Sequence, residues 1–319
     1  MDHAPMVTLL GVDGSQHPLM AKGALGNIWL RKGAKGLDMP PFDVQVDEYP
    51  ARDGEYPRAA RGLAREIFLP LTIYGKTRPE LVAAKRRLLR ALPPTQMFGR
   101  MARLVVAEVK EDGEYEPQRE IEVYYSGGLE GDEGSENGLM WAKFGLVLRS
   151  TDPFFRSLQD TVVDFLTVED QVPFYPPEGE PFVSPDGESG GFKVSPPPRF
   201  TNEVTVINEG DVAVKPTWHL VGPISEPFSL VRAATVFSPE QVLSINGLAL
   251  DVGETATLVT TPGKVRLTTS AGSNVTWSAL APNPDFWYLD PGENQITVVG
   301  LSEDPGAISL SYRTKYLGM

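Results

Sequence analysis

Residues 65–94 read REIFLPLTIYGKTRPELVAAKRRLLRALPP, and this stretch decides the fold of the first half of the chain. From residue 66 to residue 74 the side chains alternate, which is typical of a strand with one buried face. The residues on that face are Ile67, Leu69, Leu71 and Ile73. Pro70 lies inside the strand and has no N–H to donate. We therefore expect the strand to run along a sheet edge or to be bulged at Pro70.

A helix is predicted directly after this strand, over residues 79–92. Thr77 is a candidate N-cap and Glu80 follows three residues later, which is the spacing of a capping box. Apolar residues then recur at three- and four-residue spacing until Pro93 and Pro94 end the pattern: Leu81, Ala84, Leu88 and Leu92. The cations Lys85, Arg86, Arg87 and Arg90 lie mostly outside this stripe. They form either a solvated helix face or a contact surface for a partner.

The rest of the first half predicts further strands and one acidic loop. The strands cover residues 104–109, 120–125 and 140–149, where apolar and polar residues alternate. Residues 126–138 contain five glycines and the carboxylates Glu130, Asp132, Glu133 and Glu136, with Leu129 as their only large apolar residue. This composition predicts a mobile acidic loop.

The sequence changes character at residues 168–200, where prolines and glycines predict an extended linker. Beyond it the chain is predicted to be all-β, with strands at residues 203–207, 216–221, 228–231, 242–245, 257–260, 264–268, 275–280, 295–299 and 307–313. Asn246-Gly247 between two apolar runs predicts a hairpin. Short strands at this spacing indicate a β-sandwich or jelly roll.

Composition excludes several classes of function. The net charge of −13 argues against a protein whose whole surface binds nucleic acid. The absence of cysteine removes disulfides, thiolate metal sites and cysteine nucleophiles. No apolar stretch approaches 18 residues and the N-terminus does not resemble a signal peptide, so we expect neither membrane insertion nor secretion.

Motifs that carry chemistry are sparse. Gly75-Lys76-Thr77 lies between a strand and a helix, as a phosphate-binding loop would, but the glycine required five residues before the Gly-Lys pair is replaced by Pro70. The three histidines, His3, His17 and His219, do not occur at metal-ligand spacing. No nucleophile elbow is present, and nothing selects one pair of carboxylates as a glycosidase site. We therefore expect no enzymatic activity, no metal and no cofactor.

Two aromatic runs stand out, at residues 152–155 and at residues 285–288. The second contains Phe286, Trp287 and Tyr288. If exposed, these rings could stack on a sugar or contact a partner. Packing in the core or at a corner between strands is the more frequent role of such a run.

Several segments, taken in order, resemble one known family. In the first half they are residues 65–75, the helix after them, and a closing segment that contains Trp141-Ala142-Lys143-Phe144 and Asp152-Pro153-Phe154-Phe155. In the second half they are Asn208-Glu209-Gly210-Asp211, Gly222-Pro223, residues 286–294, and Tyr312-Arg313 with Tyr316-Leu317. Together they are similar to the distal tail protein family of long-tailed bacteriophages.

The resemblance implies a mainly β fold with one helix. An N-terminal β-barrel or sandwich with a packed α-helix (residues 1–167) would be joined by a linker (168–200) to a C-terminal β-sandwich of jelly-roll type (201–319). In some relatives that C-terminal domain is like a galectin or another carbohydrate-binding module.

The implied function is structural. The N-terminal domain would form a hexameric ring in the virion that joins the tail tube to the tail-tip hub, with receptor-binding proteins outside and DNA passing through its lumen. Assembly would take place in the host cytoplasm. The alternative is a protein that binds host surface sugars through the C-terminal sandwich.

Opposite charges on two elements suggest where ring subunits meet. Lys85, Arg86, Arg87 and Arg90 of the helix would face Glu130, Asp132, Glu133 and Glu136 of a neighbouring copy, because head-to-tail contacts close into a ring when the rotation permits.

Overall fold

The computed structural model describes residues 4–21, 26–48, 53–93, 100–131, 139–167, 199–200, 202–261, 263–301 and 306–319. Backbone contacts divide the chain into an N-terminal unit, Met1–Gln159 with Lys315–Met319, and a C-terminal unit, Asp160–Thr314. The N-terminal unit contains β1 (Met6–Leu10), β2 (Gln16–Met20), β3 (Ile28–Leu30), β4 (Phe42–Glu48), β5 (Glu55–Gly62), β6 (Arg65–Tyr74), α1 (Arg78–Ala91), β7 (Ala102–Ala107), β8 (Arg119–Gly127), β9 (Trp141–Ser150), β10 (Phe155–Ser157) and β22 (Lys315–Tyr316).

The C-terminal unit consists almost entirely of short strands. Its elements are β11 (Thr161–Asp164), β12 (Leu166–Thr167), β13 (Arg199–Phe200), β14 (Glu203–Asn208), β15 (Thr217–Val221), β16 (Phe228–Arg232), β17 (Gln241–Ile245), β18 (Thr255–Val259), β19 (Arg266–Thr269), α2 (Thr276–Ala279), β20 (Gly292–Val299) and β21 (Ala307–Tyr312). The predicted fold class, mainly β with a helix packed on the N-terminal domain, is confirmed. The one-turn helix α2 replaces a strand that the sequence analysis placed at residues 275–280.

An antiparallel sheet in the order β2-β1-β7-β8-β9-β6-β3 forms the frame of the N-terminal unit. The alternating residues of β6 place Ile67, Leu69, Leu71 and Ile73 in the core, as predicted. Helix α1 packs on the same face through Leu81, Ala84, Leu88 and Ala91. On the opposite face β6 carries Glu66, Phe68, Pro70, Thr72 and Tyr74, which are half-buried or exposed.

Pro70 lies in an interior strand of this sheet, paired with Gly145 of β9. On the other side of β6 the Pro70 carbonyl accepts from the Arg31 N–H at 2.8 Å, just where β3 has ended. A residue of an antiparallel ladder directs its N–H and C=O to the same side. Because Pro70 has no N–H, β6 lacks a donor on the side where β3 has already ended. The predicted sheet edge at Pro70 is therefore found on that side only, since β6 pairs with β9 on the other side.

The last five residues complete the N-terminal unit. Strand β22 pairs with β10, and the Met319 N–H donates to the Leu37 carbonyl at 3.0 Å. The buried guanidinium of Arg65 donates to the carbonyls of Gly36 and Leu317 and lies 5.0 Å from the centroid of the Phe155 ring. Because of this burial the pKa of Arg65 falls to about 10.

The predicted domain boundaries differ from the observed units at two places. Strand β11 pairs with β21, so the residues from Asp160 onward belong to the C-terminal unit. Residues 315–319, expected in the C-terminal domain, belong to the N-terminal unit instead. Residues 168–198 of the predicted linker lie outside the described residues, and β12 and β13, which flank them, pair with each other.

Two antiparallel sheets form the sandwich of the C-terminal unit, β11-β21-β15-β18-β19 and β14-β20-β16-β17. Its core combines residues of both sheets, among them Trp218, Leu230, Ile296 and Leu310. The predicted Asn246-Gly247 hairpin is wrong. The N–H groups of Asn246 and Gly247 both donate to the Ala279 carbonyl, and Leu250 then bridges to Ile224.

A buried ion pair fixes the connection between β16 and β17. Arg232 is fully buried, and its guanidinium donates to the Asp290 carboxylate at 2.9 Å. It also donates to Ser238 Oγ at 2.8 Å and to Gln241 Oε1 at 2.7 Å. The hydroxyls of Thr235 and Ser238 donate to the same carboxylate oxygen. This network holds residues 233–240, at whose tip Val236 and Phe237 are exposed.

Candidate functional site

Helix α1 begins with a complete cap. The Thr77 hydroxyl accepts from the Glu80 N–H at 3.4 Å, and the Glu80 carboxylate accepts from the Lys76 N–H at 2.8 Å. These two hydrogen bonds occupy the N–H groups of Glu80 and Lys76, which would otherwise be available to a phosphate at this helix start. A Cβ on Gly75 would lie 2.4 Å from the Leu81 nitrogen, so this glycine is required by close packing. Gly75-Lys76-Thr77 is thus a helix start.

The predicted cations lie on the outer side of the helix. Arg86, Arg87 and Arg90 are exposed, while Lys85 is half-buried with its ammonium 5.3 Å from the centroid of the Phe144 ring. The predicted acidic partners are described only in part, because Asp132, Glu133 and Glu136 lie outside the described residues.

Glu130 is held within a turn of its own chain. Its carboxylate accepts from the Tyr125 hydroxyl and the Gly128 N–H, both at 2.8 Å. Hydrogen bonds from the backbone, and then from Tyr125, lower the pKa of Glu130. Lys85, Leu89, Leu129, Glu130 and Phe144 line one groove of about 230 Å³. The structure therefore brings Lys85 and Glu130 together within one chain, and their predicted pairing between copies stays a prediction.

The aromatic run of the C-terminal unit is divided between core and surface. Trp287 is 2% exposed, donates to the Leu230 carbonyl at 3.2 Å and meets Trp218 edge to face. Phe286 is half-buried against the same core, and Tyr288 remains 41% exposed beneath the Lys215 ammonium. The run therefore offers one open ring rather than a platform of three. This removes the main sequence support for sugar binding.

A two-stranded ribbon, β4 paired with β5, was missed by the sequence analysis. Its strands pair only with each other, from Phe42 opposite Gly62 to Glu48 opposite Glu55. Its side chains are exposed except at a few positions. The signal was available, because residues 42–47 read Phe-Asp-Val-Gln-Val-Asp, a strict alternation of apolar and polar residues.

Three aromatic side chains form a strip on the open face of the N-terminal sheet. Trp29 of β3 stacks on Tyr74 of β6, with ring centroids 6.2 Å apart, and Tyr74 lies directly opposite Trp141 of β9. Trp29, Tyr74, Lys76, Glu80, Ala83 and Arg87 are among the residues that line a groove of about 680 Å³ at the end of this strip. The ribbon and the strip are thus two exposed apolar surfaces among the described residues of this unit.

Chemical sites are not evident in the described part of the chain. Nowhere in it do three or more His, Asp or Glu side chains converge as metal ligands would. A search of the same residues found no helix with the length and hydropathy needed to cross a membrane.

Comparison with known proteins agrees with this fold. No family model and no curated protein matches the sequence. The structure is similar to the Dit protein (gp 19.1) of phage SPP1, a paradigm of the hub adsorption apparatus in phages that infect Gram-positive bacteria. The TM-score is 0.59 at 14% identity, over 97% of this chain and 98% of that one.

The chain has the Dit fold. Chains of the phage P2 baseplate in its activated conformation, with Ca or with Sr, align with the protein at a TM-score of 0.43. Their identities are 8% and 9%, over 97% of this chain and 97% and 98% of theirs. The similarity to the SPP1 protein confirms the likeness predicted from the sequence as a likeness of fold, and it extends over both units.

Proposed function

We propose that this chain is a structural component of a phage tail tip, a distal tail protein whose N-terminal units form a hexameric ring. The ring joins the tail tube to the baseplate hub and leaves a lumen through which DNA passes. The C-terminal sandwich lies outside the ring and contacts receptor-binding or other baseplate proteins. The chain assembles in the host cytoplasm and remains in the virion.

One observation carries this proposal: the Dit fold extends over nearly the whole of both this chain and the SPP1 hub protein. A likeness confined to one unit would fit many β-sandwich proteins, since common folds host unrelated functions. Here the two units occur together and in the same order. The open ribbon and the open aromatic strip of the N-terminal unit add support, since exposed apolar surfaces of this kind commonly mark protein interfaces.

The exposed cations of α1 fit the same proposal. We place Arg86, Arg87 and Arg90 at the contact between neighbouring copies, because these long side chains are exposed and do not pack in the core of their own unit. Each exposed ion pair contributes only about 0.2–1 kcal/mol, so apolar contacts must provide most of the association energy. The charges then fix register and orientation.

Sedimentation or native mass spectrometry of the purified chain tests the proposal. The expected species is a closed oligomer with six times the subunit mass of 34.9 kDa. Charge reversal of Arg86, Arg87 and Arg90 to Glu should shift it toward smaller species at low salt. A chain that stays monomeric at all concentrations, yet binds glycans on an array, would favour the sugar-binding alternative.

A further inference from the structure

The ribbon formed by β4 and β5 has one apolar and one polar face. Phe42, Val44 and Val46 share a face because alternate residues of a strand point the same way, and they are 39%, 50% and 41% exposed. Pro57 and Ala60 lie opposite Val46 and Val44 on that face. The other face has Asp43 paired with Arg61 at 3.1 Å. This alternation of apolar and polar residues is typical of a strand whose apolar face is buried, yet the apolar face of the ribbon is exposed.

An open apolar ribbon requires a covering surface. Two strands alone are marginally stable in water, and unpartnered strands with apolar faces associate with other chains. The described part of the chain leaves this face open at Phe42, Val44 and Val46, which all remain exposed. A second molecule can supply the covering surface.

The same unit contains a second open surface that matches the ribbon. The aromatic strip offers the exposed rings of Trp29 and Tyr74 to aliphatic side chains, because aromatic and β-branched residues are favourable neighbours in sheets. Trp141, opposite Tyr74, is half-buried and has the Lys143 ammonium 5.1 Å from its ring centroid. Trp29 and Tyr74 are each about two-fifths exposed. In the described part of one copy, both the strip and the ribbon therefore retain exposed apolar side chains.

Charge at the ends of these surfaces is complementary. The acidic turn of the ribbon is here defined by its described residues Asp47, Glu48, Asp53 and Glu55, and the sequence 47–55 contains one cation, Arg52. The groove beside the strip is lined by two cations, Lys76 and Arg87, and by one carboxylate, Glu80, so cations are in excess there. Opposite charge at the turn and the groove would orient the ribbon along the strip.

We propose that the ribbon of one copy packs its apolar face on the aromatic strip of the next copy, with its acidic turn in the groove beside α1. This inference rests on the proposed ring and specifies which surfaces of neighbouring copies meet in it. Two different surfaces of one chain cover each other in a head-to-tail arrangement, which closes into a ring when the rotation permits. In this arrangement Arg87 of one copy pairs with a carboxylate on the ribbon of its neighbour rather than with the neighbour's loop at residues 126–138.

Cross-linking between single-cysteine chains tests this contact directly, because the native chain has no cysteine. Chains with Asp53→Cys and chains with Ala83→Cys are co-expressed with different tags, and the mixed oligomers are treated with a bismaleimide. Asp53 lies in the acidic turn and Ala83 lines the groove. The matched control replaces Ala83→Cys by Val252→Cys, an exposed site on the C-terminal unit. A cross-linked species with both tags is expected in the first mixture only.

A charge exchange gives a second readout. Lys76→Glu with Arg87→Glu, or Asp53→Lys with Glu55→Lys, should each weaken association about tenfold at low salt. All four changes together should restore association, because the charge pattern is then exchanged rather than removed. Rings without the first cross-link and without this rescue would overturn the ribbon contact and leave the proposed function standing. Monomers only, in the wild-type chain, would contradict both.

Discussion

Removal of the Asp290 carboxylate should destabilise the C-terminal unit strongly. Arg232 is fully buried, and Asp290 is the carboxylate with which its guanidinium pairs. In Asp290→Ala the charge stays buried without that partner, and the hydroxyls of Thr235 and Ser238 lose a shared acceptor. Breaking a buried pair in this way costs about 3–5 kcal/mol. For a unit of this size the thermal midpoint should fall by about 6–20 °C.

Tryptophan fluorescence reports this unfolding, since Trp218 and Trp287 are buried in the core of the same unit. Arg232→Met with Asp290→Ala should cost at least about 1 kcal/mol less than the sum of the two single changes, because the double change buries no lone charge. The control is Asp285→Ala, an exposed carboxylate nearby, for which we expect at most about 0.5 kcal/mol. A cost below about 1 kcal/mol for Asp290→Ala, or additive single changes, would refute the reasoning.

Three further predictions concern the N-terminal unit. Deletion of residues 315–319 removes the Leu317 acceptor of buried Arg65, so calorimetry should show a midpoint lowered by about 5–10 °C in this unit alone; an unchanged midpoint would contradict the pairing of β22. Thr77→Ala should cost about 1 kcal/mol and Thr77→Ser much less, whereas equal midpoints would exclude the cap. Burial lowers the pKa of His17 below its ordinary 6.5, so neutral His17 stabilises the fold above that pH. The free energy of unfolding should fall as the pH drops below 6.5, and the fall should be smaller in His17→Gln. Identical pH profiles of the wild-type chain and this variant would contradict the prediction.

The elements that could be predicted from the sequence are those whose pattern is local. Strand β6 and helix α1 have long, regular periods and explicit capping residues, and both were placed within two residues of their ends. Most strands of the C-terminal unit were found for the same reason. The overall fold class followed from these elements and from the order of the matching segments.

The errors arise where distant contacts override local signals. Residues 275–280 form α2 rather than a strand, and Asn246-Gly247 packs against Ala279 rather than turning a hairpin. The return of β22 to β10 joins residues far apart in sequence, which no local pattern predicts. The ribbon is different, because the alternation of apolar and polar residues that predicts its first strand is local and lies at residues 42–47.

The candidate site was predicted less well than the fold. Arg86, Arg87 and Arg90 of α1 lie exposed as the amphipathic pattern indicates, and their predicted pairing with the acidic loop at residues 126–138 of a neighbouring copy stays a prediction. Trp29, Tyr74 and Trp141 meet only because β3, β6 and β9 are neighbours in the sheet. Such a surface depends on strand order, which single-sequence patterns do not determine.

Electron microscopy of the purified, full-length chain tests the central claim most directly. Averaged end-on views show the rotational symmetry without knowledge of any partner. We expect closed rings of six copies around an open channel, with the C-terminal units at the periphery. Monomers, or open chains without a channel under all conditions in which the protein is folded, would contradict it.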